Sequence, residues 1–279
     1  MTQRALISVT ELCETLDDPE LVVLDCRFEL ADVTWGRRAY GIEHVPGALY
    51  AHLGDDLSGP VTANSGRHPL PDPGHFASTL ARFGIGQQSR VVAYDQGTGF
   101  VAARLWWLLR AVGHERVQVL DGGFAAWRAA GLALERHPPQ VTPVRPIVRP
   151  FSGVAHTPDV AAALRDGSIL LVDARAADRF AGRNETLDPV AGHVPGAVNH
   201  PYSLNLAGDG RFLPATQLRE RWLATLSGRT PDQLVAMCGS GVTACHNLLA
   251  LTIADLPGGR LYPGSFSEWI RDPLRPVAT

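Results

Sequence analysis

The chain repeats itself at about half its length, and no other feature constrains the fold as tightly. Val22-Val23-Leu24-Asp25-Cys26-Arg27 resembles Leu170-Leu171-Val172-Asp173-Ala174-Arg175. His44-Val45-Pro46-Gly47-Ala48 returns as His193-Val194-Pro195-Gly196-Ala197. Gly122-Gly123-Phe124-Ala125-Ala126-Trp127 is echoed by Gly264-Ser265-Phe266-Ser267-Glu268-Trp269. Three landmarks in one order mean two copies of one domain, and two copies are too few for a solenoid. A total of 279 residues gives each copy the size of an ordinary domain. Between the copies stand Pro138, Pro139, Pro143, Pro146 and Pro150, a density that favours extended backbone. The sequence therefore predicts one domain over 1–136, a proline-rich linker over 137–151 and a second domain over 152–279.

Within each copy, short apolar runs alternate with amphipathic stretches. Leu21–Leu24, Arg90–Tyr94 and Val117–Leu120 read as strands, with helices over His75–Phe83 and Phe100–Val112. The second copy gives strands at Ile169–Val172 and Leu234–Met237, and helices at Gln217–Leu226 and Thr243–Ala254. Unbroken apolar strands separated by helices imply an α/β fold with a parallel sheet covered by helices on both faces. In such sheets ligands bind beyond the carboxyl ends of the strands.

Composition excludes several chemistries. All 25 residues counted as Lys+Arg are arginine. A Schiff-base lysine, a pyridoxal-phosphate enzyme and the lysine of a P-loop are therefore ruled out. The net charge of -3 and the scattered arginines carry no nucleic-acid signature. No apolar run is long enough for a bilayer, and residues 1–8 lack the apolar core of a signal peptide, so the expected location is cytoplasmic. Cys13, Cys26, Cys238 and Cys245 form neither a CxxC pair nor a zinc spacing. They are expected to be thiols.

One of these thiols has distinctive surroundings. Cys238-Gly239-Ser240-Gly241-Val242-Thr243 follows a predicted strand and opens a helix. Two glycines let the loop curl with its N–H groups inward, and the positive end of the helix faces the same centre. Such a nest stabilises a thiolate, a persulfide or a bound anion. Cys13, Cys26 and Cys245 lack these surroundings and read as small structural side chains.

Taken together, these motifs resemble those of tandem-domain rhodanese-type sulfurtransferases, the family of the 3-mercaptopyruvate and thiosulfate sulfurtransferases, along nearly the whole chain. The resemblance implies two rhodanese-like domains. The second is the catalytic one, with Cys238 as nucleophile and Gly239, Ser240, Gly241, Val242 and Thr243 as its active-site loop. In the first copy the corresponding loop begins at Asp95, whose carboxylate cannot carry a sulfane sulfur, so that domain is expected to be non-catalytic. By resemblance a donor passes sulfur to Cys238, and a thiol, cyanide or thioredoxin then removes it. No metal or organic cofactor, nucleic acid or membrane is implied.

Other readings fit less well. Gly97-Thr98-Gly99-Phe100-Val101-Ala102 formally matches a dinucleotide fingerprint, but falls in the middle of a copy rather than on its first strand. A cysteine phosphatase needs a longer loop ending in arginine, and Ala244 stands six positions after Cys238. Ser240 is not in a GxSxG elbow. A sulfur carrier or binding module that keeps the fold is the non-enzymatic alternative.

Basic residues inside the loop accompany thiosulfate preference in relatives, whereas Cys-Gly-Ser-Gly-Val-Thr resembles the mercaptopyruvate pattern. The expected donor is therefore 3-mercaptopyruvate, with thiosulfate the alternative. Arg179 matches the family's substrate clamp, and Arg183 is a second candidate. The other clamp arginine of the mercaptopyruvate pattern would fall near Asp188, a departure from it. Asp55 or Asp56 approximates an aspartate assigned to a proton relay with the loop serine. Trp35, His68 and Phe100 match positions that line the cleft in relatives.

Overall fold

A computed structural model describes residues 4–279. The described residues form two compact units, one comprising 4–59, Pro71–Ser152 and Gly208–Phe212, the other Pro60–Leu70, Gly153–Ala207 and Leu213–Thr279. These units differ from the contiguous division expected at 136 and 152. Residues 60–70 join the second unit because Arg67 N–H donates to Ser267 Oγ at 3.1 Å and Arg271 Nε donates to Ser65 O at 3.2 Å. Residues 208–212 join the first, where Phe212 N–H donates to Asp121 Oδ1 at 2.9 Å. The proline-rich stretch is also part of the first unit, tied by Val144 N–H to Ala81 O at 3.0 Å and Ser152 N–H to Ala111 O at 2.9 Å.

The first unit contains β1 (Leu6–Ile7), α1 (Val9–Cys13), β2 (Leu21–Asp25), α2 (Trp35–Ile42), β3 (Leu49–Tyr50), α3 (Pro73–Arg82), β4 (Arg90–Tyr94), α4 (Ala102–Ala111), β5 (Val117–Leu120) and α5 (Gly123–Ala129). Its five parallel strands lie in the order β1-β5-β4-β2-β3. The second unit contains α6 (Thr157–Asp166), β6 (Leu170–Asp173), α7 (Ala177–Phe180), β7 (Val198–Asn199), α8 (Ala215–Leu226), β8 (Leu234–Met237), α9 (Thr243–Ile253), β9 (Arg260–Leu261) and α10 (Ser265–Trp269). Its parallel strands run β7-β6-β8-β9, and Val154 adds a parallel bridge to Leu261 where β1 stands in the first copy.

Local chemistry accounts for these elements. β6 and β8 are buried at every residue, as expected of strands covered on both faces. The α3 helix starts because Asp72 accepts N–H bonds from Gly74 and His75 while Pro73 takes the first position. The Asp-x-Arg landmarks are buried ion pairs. Arg27 donates Nε and Nη2 to Asp25 at 2.9 and 2.7 Å, and Arg175 repeats this on Asp173 at 2.9 and 2.7 Å. Phe124 and Phe266 lie under the two guanidinium groups at 4.0 and 4.1 Å, which explains the aromatic residue of the C-terminal signature. The recurring His44 and His193 stack on Tyr40 and Phe180, and each Nδ1 meets the backbone carbonyl of the residue whose ring it covers.

A buried polar network supports α9 from beneath. Asn205 Nδ2 donates to Asn247 Oδ1 at 2.8 Å, Trp222 Nε1 donates to Asn205 Oδ1 at 3.1 Å, and Asn247 Nδ2 donates to His200 O at 2.9 Å. Burial lowers the His200 pKa to about 4, so the imidazole is neutral in this network near neutral pH.

Candidate active site

Register places the loop. Met237, the last residue of β8, pairs with Asp173, the last of β6, so Cys238 emerges at the carboxyl edge of the sheet. The Cys238 thiol is buried, at 2% exposure. Its sulfur accepts the Gly241 N–H at 3.1 Å. Gly241 has φ +79°, and a Cβ there would meet Pro263 O at 2.4 Å, so only glycine fits. Ser265 holds the other side with a left-handed φ of 54°. That conformation brings its Oγ to the Cys238 N–H at 3.1 Å. The equivalent position in the first copy is Gly123, also at φ 54°. Helix α9 then begins without a side-chain cap, leaving its positive end directed at the loop. This arrangement can hold an anionic sulfur.

A hydrogen-bonded pair and a charged cluster border the loop. Ser240 Oγ and His68 Nδ1 are 2.8 Å apart, so the His68 expected only to line a cleft is bonded to the loop serine. Arg179 is not a free cation. Glu185 accepts its Nη2 at 2.8 Å and its Nε at 3.1 Å, and Asp188 accepts Nη2 at 3.2 Å. Arg67 is ion-paired with the same Asp188. Both carboxylates have side chains only 1% exposed. Desolvation is the largest influence on each. For Asp188 it prevails and raises the pKa; for Glu185, Arg179 and the Leu187 and Asp188 N–H groups outweigh it and lower the pKa.

The first copy has the same loop, filled differently. Asp95 follows β4 and is completely buried. Its Oδ1 accepts the N–H groups of Gly97 and Gly99 at 3.0 and 2.9 Å, and its Oδ2 those of Val101 and Ala102 at 2.9 and 3.4 Å. The carboxylate occupies the amide nest that Cys238 Sγ faces in the second copy. Burial raises its pKa despite these four bonds. The glycines that formally resemble a dinucleotide fingerprint are used to wrap this side chain.

The remaining sequence candidates have partners or surroundings of their own. Arg183 is exposed. Asp55, expected as a proton relay, is on the first unit's surface, paired with Arg37 at 3.4 Å and His52 at 3.1 Å. Asp56 accepts the His52 N–H at 2.8 Å and is ion-paired with Arg82. Both aspartates are thus committed to a turn and its neighbouring arginines. Trp35 lines a cavity of about 280 Å³ in the first unit with Arg27, Gln96, Phe124 and Arg128. Phe100 is half-buried in the Asp95 loop. Among the other thiols, burial pushes Cys26 well above the ordinary range, and Cys245 donates to Gly241 O at 3.3 Å. Arg67, Glu185 and the part taken by Asp188 were missed from sequence. The available signals were the Arg67–His68 adjacency and two acids close behind Arg179.

Comparison with known proteins bears on this site. A profile of the rhodanese-like domain matches residues 8–130 and again 157–272. A probable 3-mercaptopyruvate sulfurtransferase of Pseudomonas aeruginosa is 50% identical over 100% of this chain and 99% of its own length. A putative thiosulfate sulfurtransferase of Mycobacterium tuberculosis is 39% identical, over 98% of this chain and 96% of its own. The solved structure of 3-mercaptopyruvate sulfurtransferase from Leishmania major matches with a TM-score of 0.85 and 32% identity, covering 95% of this chain and 74% of that one. With two parallel α/β copies, each presenting a strand-to-helix loop, the chain belongs to the rhodanese-like family. Within that family it is a tandem-domain enzyme of the sulfurtransferase kind, acting on a small-molecule sulfur donor. Among the described residues, no helix is long and apolar enough to cross a membrane.

Proposed function

We propose that the enzyme moves a sulfane sulfur from 3-mercaptopyruvate, through a persulfide on Cys238, to a thiol or cyanide acceptor, with thioredoxin as one such thiol. The observation that carries the reading is Cys238 Sγ accepting the Gly241 N–H in a loop whose serine is bonded to His68. In the first half-reaction the thiolate attacks the donor sulfur. An S–S bond forms, the donor C–S bond breaks, and its electron pair leaves on carbon as the enolate of pyruvate. The thiol proton of the donor ends on that carbon, giving pyruvate and an ionised persulfide. In the second half the acceptor attacks the outer sulfur and Cys238 leaves as thiolate. This is covalent catalysis with ping-pong kinetics, and the loop amides hold the charge that sulfur carries in each form. Four cysteine thiols with no disulfide among them suit a reducing, cytoplasmic setting.

Ser240 and His68 supply the proton path of the first half-reaction. Their role separates the two candidate donors. Thiosulfate leaves as sulfite, which needs no proton, whereas the pyruvate carbanion does. Side-by-side kcat/KM values for both donors are the test. The wild type favours 3-mercaptopyruvate. Ser240→Ala lowers its kcat/KM by about 100-fold, and that for thiosulfate by less than about threefold. Equal losses with both donors would remove the relay, and a wild-type preference for thiosulfate would replace the donor.

Arg179 holds the donor carboxylate, with Glu185 fixing its planar fork. Arg179→Ala therefore raises the KM for 3-mercaptopyruvate by about 10- to 100-fold, with kcat changed by less than about threefold. An unchanged KM would transfer the clamp to another group.

A further inference from the structure

Arg67 reaches the cysteine loop from residues 60–70, and its surroundings differ from those of a solvated surface arginine. A Cβ added to Gly239 would lie 2.8 Å from Arg67 Nη2 and 3.6 Å from Arg179 Nη2. Two guanidinium groups therefore face the residue next to Cys238. Asp188, with a side chain 1% exposed, is ion-paired with both. Arg67 Nε is also buried and has no hydrogen-bond partner. A buried donor of this kind is costly unless something accepts from it.

The charges can be counted. Arg175 is matched by Asp173. Arg67 and Arg179 are matched by Asp188 and Glu185. An incoming anion thus meets two arginines whose charge is already balanced by two buried carboxylates. One negative charge can take the remaining N–H of Arg67 and the exposed edge of Arg179. A second would lie close to the Asp188 carboxylate at low dielectric, where repulsion is strong.

We infer that Arg67 is a donor-binding residue, and that Asp188 holds it over the loop and makes the site select a singly charged donor over a dianion. This inference rests on the sulfurtransferase reading of Cys238, and it assigns the selection to the 67–188 pair rather than to the loop sequence alone. Arg67 touches the donor, whereas Asp188 is a positioning residue that acts through the two arginines.

The test uses the full chain and two probes that need no turnover. Calorimetry measures the binding of pyruvate, a monoanion, and sulfate, a dianion. The kcat/KM values for 3-mercaptopyruvate and thiosulfate are read alongside. Asp188→Asn raises the sulfate-to-pyruvate affinity ratio and the thiosulfate-to-3-mercaptopyruvate kcat/KM ratio about tenfold each, the second through KM. Arg67→Gln weakens pyruvate and sulfate about tenfold each, and Arg67→Lys recovers most of the pyruvate loss because the charge is retained. A sulfate-to-pyruvate affinity ratio within twofold of wild type in a folded Asp188→Asn protein overturns the inference. So does unchanged anion binding in Arg67→Gln, the deciding variant if Asp188→Asn fails to fold. A shifted ratio without any persulfide on wild-type Cys238 would sink the sulfurtransferase reading while leaving the anion selector standing. An unmoved ratio with a normal persulfide would sink the selector alone.

Discussion

Replacing Cys238 by serine is expected to lower sulfur transfer by at least about four orders of magnitude while leaving the fold in place. The loss follows from chemistry, because a serine hydroxyl cannot be ionised near neutral pH and does not accept a sulfane sulfur as a persulfide. The retained fold follows from geometry. The sulfur is buried, at 2% exposure, and its hydrogen-bond role is to accept the Gly241 N–H at 3.1 Å. A serine oxygen in the same place can accept that bond, so the melting temperature should move by less than about 4 °C, the equivalent of about 1 kcal/mol. Rates are followed as pyruvate release and unfolding by circular dichroism. Activity within tenfold of wild type would remove Cys238 from the reaction, and loss of the folded signal would make its role structural.

The largest stability effect is expected in the copy that has no cysteine. Asp95→Ala removes a buried carboxylate that accepts four backbone N–H bonds from Gly97, Gly99, Val101 and Ala102. Those donors lie in the loop leading into α4 and at its first residue, where nothing in the shortened side chain can replace the oxygens. Leaving them unpaired costs about 3–5 kcal/mol, a fall of roughly 6–20 °C in the melting temperature for a domain of this size. Asp95→Asn keeps one oxygen and should fall between alanine and wild type. Differential scanning calorimetry of the full chain reads both. A shift of less than about 2 °C for Asp95→Ala would mean that the loop N–H groups find other partners, and that the carboxylate is not what fills the nest.

The fold was legible because it rests on repeats and on apolar runs. The strands Arg90–Tyr94, Val117–Leu120 and Leu234–Met237 stand where their apolar residues place them. The cysteine loop was equally legible, since glycine spacing after a strand and before a helix dictates where its N–H groups point. The charged surroundings of Cys238 were not legible. Arg67 lies far from Gly239 along the chain, and no periodicity joins a loop of one copy to the active-site loop of the other. Only the packing of residues 60–70 with the second unit brings them together. Asp188 and Glu185 were obscured for a related reason. Acids in a polar turn usually face solvent, and these two are buried because three arginines, Arg67, Arg175 and Arg179, converge on them. The absence of lysine takes on a sharper meaning here. Every fixed cation beside the loop is an arginine, and each is engaged with a carboxylate, so the balance within the cluster sets the charge a donor meets.

The central claim is that Cys238 itself receives the sulfur of 3-mercaptopyruvate. Intact-mass spectrometry of the protein after incubation with that donor and without acceptor, followed by peptide mapping, tests it most directly. The account predicts one added sulfur atom on the peptide containing Cys238, absent in Cys238→Ser and removed by cyanide or a thiol. An unmodified protein, or sulfur carried instead on the exposed Cys13, would contradict it.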